Sequence, residues 1–239
     1  FLRAWNWSMV LHQKYPPVTG QTPKFIIVKE TNQVNNWQVY HASAGNTKYL
    51  YLNSSTAEAT NNLWDNTSPT NSVFTIRSGG SANFYDGKTH VAYCWSEVSG
   101  FSKFDSYTGN AGALSVTGLG FKPRFLLIRP TAVGSWMMFD SERGTSVRLK
   151  AHTSDADASA SISLTFDSDG FSLNTTDADF NGNGVTYLYM AFADRPGNNF
   201  GVSNLVATAG ADGTAGFDVV TYTGNGATQK IGGPVFSAS

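Results

Sequence analysis

The chain repeats itself, and a repeat of this length constrains the fold more than any single motif. Pro23-Lys24-Phe25-Ile26-Ile27-Val28-Lys29 returns as Pro123-Arg124-Phe125-Leu126-Leu127-Ile128-Arg129, 100 residues later. Trp37 and Tyr40 correspond to Trp136 and Phe139 at an offset of 99, and Gly87, Thr89 and Trp95 correspond to Gly184, Thr186 and Phe192 at an offset of 97. Self-similarity at a fixed period marks a modular scaffold. The shared positions are aromatic, aliphatic or Gly, whereas the polar and titratable residues between them differ. A packing plan is therefore repeated, and no reaction centre is.

A chain of 239 residues divides naturally into two domains of about a hundred residues, a usual size for β-sandwiches. Charged residues make up only 14 %, and Thr, Ser, Asn, Gly and aromatic residues fill the remaining strand and turn positions. That composition is all-β. A formal net charge of −1 offers no basic footprint for nucleic acid or an anionic membrane, so neither is expected as a partner. Cys94 lies in Val-Ala-Tyr-Cys-Trp opposite Ala191 of the second unit, and reads as a small buried hydrophobe, which leaves stability to packed cores. No signal-peptide h-region and no apolar run near membrane-spanning length is present, and the start at Phe1 suggests a processed or partial piece.

In Phe25 to Val28 and Phe125 to Ile128 four consecutive residues are apolar, and successive strand residues point to opposite faces. Both faces of these strands must then be covered, which makes them central. Lys24, Lys29, Arg124 and Arg129 bracket the runs and are expected to leave the core at either end. Opening strands are predicted at Arg3 to Trp7 and Lys103 to Tyr107, and short strands at Trp37 to Tyr40, Tyr49 to Leu52, Ser72 to Ile76 and Thr89 to Trp95, each with a counterpart in the second half. Ser55 and Glu58 have capping-box spacing, which predicts a helical turn over Ser55 to Thr60, echoed at Asp155 to Ala160. These elements give two tandem β-sandwich units of the jelly-roll or lectin-like kind, residues 1–100 and 101–194. Residues 195–239 form an extended C-terminal arm in which Asp218 to Asn225 repeats Asp105 to Asn110. A third unit starts there, and Val219, Val220 and Tyr222 are the candidate assembly strand, since a strand without its sheet must find a partner.

The Tyr-Thr-Gly-Asn core, the Pro-basic-Phe strand, the Trp strand, Asp140 to Leu149, Phe166-Asp167-Ser168-Asp169-Gly170-Phe171 and Tyr187 to Phe192 together resemble a repeated domain of unknown function in tail and virion proteins of marine bacteriophages. Lys48 to Asn53 and Tyr93 to Glu97 carry the same resemblance in the first half, which departs from it where Trp5-Asn6-Trp7 replaces Tyr-Thr-Gly. The resemblance implies a structural or adhesive role on a particle surface. It supplies no catalytic residues.

The remaining motifs favour no chemistry. Ala82 to Thr89 satisfies a relaxed phosphate-loop pattern, but Phe84 and Tyr85 are bulky and a strand follows, so a turn is expected. Asp177-Ala178-Asp179-Phe180-Asn181-Gly182 opens like a calcium loop, yet Leu188 sits where the bidentate acid belongs, and no metal is named; a solvated turn is the expectation. The histidines His12, His41, His90 and His152 share no ligand spacing and are expected at the surface or at strand edges. No Gly-x-Ser-x-Gly elbow is completed, and the carboxylates Asp167 and Asp169 read as part of a turn. Aromatic residues reach 13 %, which raises ring stacking on a glycan. Trp5, Trp7, Trp64 and Tyr85, unmatched across the repeat, are the candidate contacts with a ligand or a partner. The sequence thus predicts a non-enzymatic phage structural protein of the tail or a surface fibre, without cofactor, self-assembling and joined to other virion proteins. The alternative is an adhesin for a host surface glycan.

Overall fold

The computed structural model describes residues 4–5, 12–15, 21–31, 34–77, 90–159 and 163–193. The expectations for Trp7, Tyr85, Val219, Val220, Tyr222, the Ala82 to Thr89 segment and the arm lie outside the described residues, as does the side chain of Trp5. Among the described residues every element is a strand: β1 (Ala4–Trp5), β2 (His12–Tyr15), β3 (Phe25–Glu30), β4 (Gln38–His41), β5 (Lys48–Tyr51), β6 (Ala59–Thr60), β7 (Phe74–Arg77), β8 (His90–Trp95), β9 (Ser102–Thr108), β10 (Ala113–Thr117), β11 (Pro123–Pro130), β12 (Met137–Asp140), β13 (Val147–Lys150), β14 (Ala158–Ser159), β15 (Ser163–Asp167), β16 (Gly170–Asn174) and β17 (Thr186–Ala193).

The two halves build six-stranded antiparallel sheets of the same order, β1-β8-β3-β4-β5-β6 and β9-β17-β11-β12-β13-β14. Their registers correspond as well. Trp5 pairs with His90 as Tyr107 pairs with Tyr187, so the Trp-Asn-Trp departure from Tyr-Thr-Gly leaves the opening strand in place. A small sheet accompanies each large one: β2-β7 in the first half and β10-β16-β15 in the second.

Alternation along the central strands decides how these sheets stack. Phe25 and Ile27 of β3 join Leu127 of β11 and Leu188, Met190 and Phe192 of β17 in one core, so the two six-stranded sheets face each other. Ile26 and Val28 point the other way, onto Phe74 and Ile76 of β7 with Leu63 and Trp64. Leu126 and Ile128 likewise turn from the shared core onto Phe166, Phe171 and Leu173 of the three-stranded sheet. The result is a β-sandwich-like stack of four layers with three cores, and the four-residue apolar runs are explained by a covered sheet on each side. Each half thus has a large and a small sheet over a core of its own, and a middle core that draws on both joins them.

Two expectations are corrected here. Residues Ser55 to Thr60 form no helical turn. The carbonyl of Ser55 accepts from Gly134 N–H at 3.0 Å and Glu58 N–H donates to Thr131 O at 2.8 Å, so this backbone bonds to the other half instead of to itself. Arg129 does not leave the core: it is 0 % exposed, its guanidinium held by the carbonyls of Gly134 and Thr56.

Candidate functional site

The densest polar chemistry lies along the seam between the halves. The Arg129 guanidinium donates from one terminal nitrogen to Gly134 O in its own half and from the other to Thr56 O in the opposite half. It stands over the Trp136 ring, 5.6 Å from its centroid, and the indole Nε1–H of Trp136 donates across the seam to Tyr51 O at 2.7 Å. Burial lowers the Arg129 pKa to about 10 while the Asp179 charge opposes the shift. Arg129 stays a cation at neutral pH, and its contacts are carbonyls and an aromatic face, the partners that a planar, weakly hydrated donor suits.

A second cluster brings Ser43, His41 and Asp105 together, residue types that make a hydrolytic triad when wired in series. The wiring here is different. Ser43 N–H donates to His41 Nδ1 at 3.1 Å, and His41 Nε2 lies 3.1 Å from Tyr189 O, so Nε2 carries the proton and donates it to that carbonyl. Ser43 Oγ lies 3.3 Å from Asp105 Oδ1 and bonds to the carboxylate, not to the imidazole. Both ring nitrogens are occupied, the ring is 2 % exposed, and burial drives its pKa down to about 4 against the opposing charges of Asp105 and Glu97. An imidazole without a free lone pair cannot take a proton from a serine. The histidine expectation is therefore corrected at His41 and at His90, both buried; His41 is inward because the seam gives each ring nitrogen a backbone partner.

The Asp177 to Asn183 segment is braced from within. Asp177 accepts from Asp179 N–H at 2.9 Å and pairs with Arg148 at 3.0 Å, and Asp179 accepts from Ser135 N–H at 2.8 Å. Asn181 is 0 % exposed; its amide donates to Gly112 O and Thr175 O, and its oxygen accepts from Asn110 N–H. These oxygens answer to protein donors, so the segment is a turn, as expected, but one clasped to the fold through the buried Phe180 and Asn181, with Ala178 and Asn183 exposed. The clasp also explains the Tyr-Thr-Gly-Asn motif. Tyr107 Oη donates to Phe180 O at 2.6 Å, Asn110 bridges Gly112 N and Ala113 O, and a Cβ at Gly109 would lie 2.3 Å from Gly182 O. Asp167 and Asp169 do form a turn, and Asp169 accepts from Gly118 N–H at 3.0 Å and Gly120 N–H at 2.6 Å.

Of the aromatic contact candidates, the described one is corrected. Trp64 is 1 % exposed, packs edge-on against Tyr40 at 5.5 Å and donates to Lys48 O at 3.0 Å, so it is a core residue of the first half. Partly exposed rings occur instead at Trp37, Tyr93 and Trp95. Trp37 lies 6.4 Å from Tyr93 with 23° between planes, and Tyr93 lies 6.2 Å from Trp95 with 21°. Trp37 and Trp95, which have aromatic partners across the repeat, still pack against the middle core, as that match predicts, with part of each ring left open. Cys94 is partly buried, and burial pushes its thiol up to about 12, in keeping with a packing role.

A family model described as a domain of unknown function (DUF7483) matches residues 17–196, a span that takes in all three cores and both large sheets apart from β1. No curated protein and no solved structure matches the chain.

Proposed function

The chain belongs to the DUF7483 family, and we propose that it is a non-enzymatic building block of a phage particle, in the tail or a surface fibre, that assembles through strand edges and its C-terminal arm. The phage setting rests on the resemblance carried by the Tyr-Thr-Gly-Asn, Pro-basic-Phe and Trp-strand motifs. The observation that carries the structural role is the use made of the polar side chains at the seam. His41, Arg129 and Trp136 each tie a side-chain donor in one half to a main-chain carbonyl in the other. Polar groups so engaged fix layers against each other, which suits a part that transmits load and holds a shape. Its partners on this reading are other copies of itself and other virion proteins, in an extracellular particle.

The test is the mass of the native assembly by size-exclusion chromatography with light scattering, for the full chain and for one ending at Asp194. An oligomer that collapses on truncation supports assembly through the arm. A chain that is monomeric at high concentration in both forms refutes the building-block reading.

One observation favours a second reading, a glycan-binding adhesin. The near-parallel, partly exposed rings of Trp37, Tyr93 and Trp95 lie beside the amides of Asn36 and Asn53, which bond to each other at 2.9 Å. Aromatic faces next to amides fit the apolar face and hydroxyls of a pyranose. A glycan-array signal abolished by Trp37→Ala with the fold intact would establish this reading, and an array without signal would remove it.

A further inference from the structure

Assembly through strand edges requires an edge that can accept a strand, and the described edges differ sharply in this respect. The longest, β9, is closed by its own chain. In β9 the alternation set by Gly109 N–H donating to Val185 O turns the even-numbered residues outward. Ser102 N–H then donates to Val98 O, Phe104 N–H to Glu97 Oε1 and Ser106 N–H to Asp105 Oδ1. Lys103 adds ion pairs to Glu97 and Asp105 on the same edge. Charges and internal caps of this kind keep an edge from pairing. The outermost strands β1, β6 and β14 have two residues each, too few for a ladder. On β15 the outward carbonyl of Leu164 is taken by Thr145 Oγ1 and the strand ends on Asp167.

β10 has none of these protections. Thr175 N–H donates to Gly112 O, so Gly112, Leu114 and Val116 face β16, and Ala113, Ser115 and Thr117 turn their main-chain groups outward. Asn110 occupies the Ala113 carbonyl, while the main-chain groups of Ser115 and Thr117 have no partner among the described residues. Ala113, Ser115 and Thr117 are exposed, small and uncharged, and the strand has no Pro. Resting on the building-block reading above, we propose that the outer edge of β10 pairs with β10 of a second copy of this chain, antiparallel about Ser115. A second copy fits because the edge is compatible with itself. Ser115 meets Ser115 and Ala113 meets Thr117 across a two-fold axis, no like charges are opposed, and two three-stranded sheets become one continuous six-stranded sheet.

The experiment uses the full chain with three substitutions at Ser115, whose N–H points away from β16 while its hydroxyl meets Ser172 Oγ of β16 at 2.9 Å. Ser115→Pro removes the outward donor and is expected to abolish the β10-dependent step in assembly mass. Ser115→Lys and Ser115→Glu place like charges opposite each other in the pair and are expected to weaken association several-fold each. An equimolar mixture of the Lys and Glu variants is expected to restore it. Unchanged thermal melts confirm that the variants fold, and protection of the Ser115 and Thr117 amides from hydrogen exchange should rise with protein concentration. Three variants that keep the wild-type mass overturn the proposal; if truncation at Asp194 still collapses that assembly, the building-block reading survives. Charge variants that dissociate but are not restored by mixing also overturn it, since β10 then pairs with an unlike strand.

Discussion

Acidification should unlatch the seam at His41, and the size of the effect follows from its burial. The imidazole is held neutral, its Nε2–H on Tyr189 O and its Nδ1 accepting from Ser43 N–H, and its pKa falls from 6.5 to about 4 in the fold. A proton on Nδ1 would turn that acceptor into a donor facing another donor. Because the folded pKa lies below the unfolded one, the unfolded chain binds the proton first. Stability is complete above pH 6.5 and is lost as pH falls toward about 4. Integrating the linkage from pH 7.5 to pH 5 gives a loss of about 2 kcal/mol from this residue alone, with a limiting slope near 1.4 kcal/mol per pH unit. Asp105 and Glu97 face the ring and favour its charged form, and both also pair with Lys103, so they temper the shift without reversing it. The assay is urea unfolding of the wild type and of His41→Gln at the two pH values. Glutamine keeps a donor for Tyr189 O and does not titrate, while the other histidines contribute equally to both proteins. Wild type should lose about 2 kcal/mol more than the variant over this interval. Parallel pH dependences would refute the assignment of a neutral, seam-locked imidazole.

Three further outcomes follow from the same contacts. Arg129→Ala strips the donors from the Thr56 and Gly134 carbonyls and should cost about 2–5 kcal/mol by denaturant titration; a change below about 1 kcal/mol would mean the guanidinium does not brace the seam. Gly109→Ala drives a Cβ to 2.3 Å from Gly182 O, and a cost of about 1–3 kcal/mol should appear as a melting point several degrees lower. Cys94, its thiol pushed up to about 12 by burial, should resist a maleimide at pH 7.5 in the folded protein and react fully in urea; rapid labelling without denaturant would contradict its packing.

The strand pattern was legible because unbroken apolar runs at Phe25 to Val28 and Phe125 to Ile128, whose successive side chains point to opposite faces, mark strands covered on both sides. The same runs do not say what covers each face. Phe25 and Ile26 are equally apolar, yet one meets the other half of the chain and the other meets β7. Arg129 looked like an end-of-strand cation because a charge beside an apolar run usually marks an exit to solvent; its carbonyl partners come from loops remote in sequence. Trp64 looked free because the repeat has no match for it, but a residue unique to one half can still fill that half's core. His41 belongs with these. Its burial depends on Tyr189, 148 residues away, and no spacing rule reaches so far.

The middle core makes the molecule, in effect, a subunit pair joined by a short peptide. Ser96 to Phe101 is all that connects β8 to β9, so each half sees the other at a local concentration that no free fragment would reach in solution. Cut there, the chain should behave as a split protein: two pieces that expose Phe25, Leu127, Leu188 and Phe192 when apart and recover their fold by reassociation. That tether also relaxes the demand for symmetry. Lys29 and Arg129, or His41 and Asp140, can diverge freely, since neither half ever needs to recognise a copy of itself across this surface.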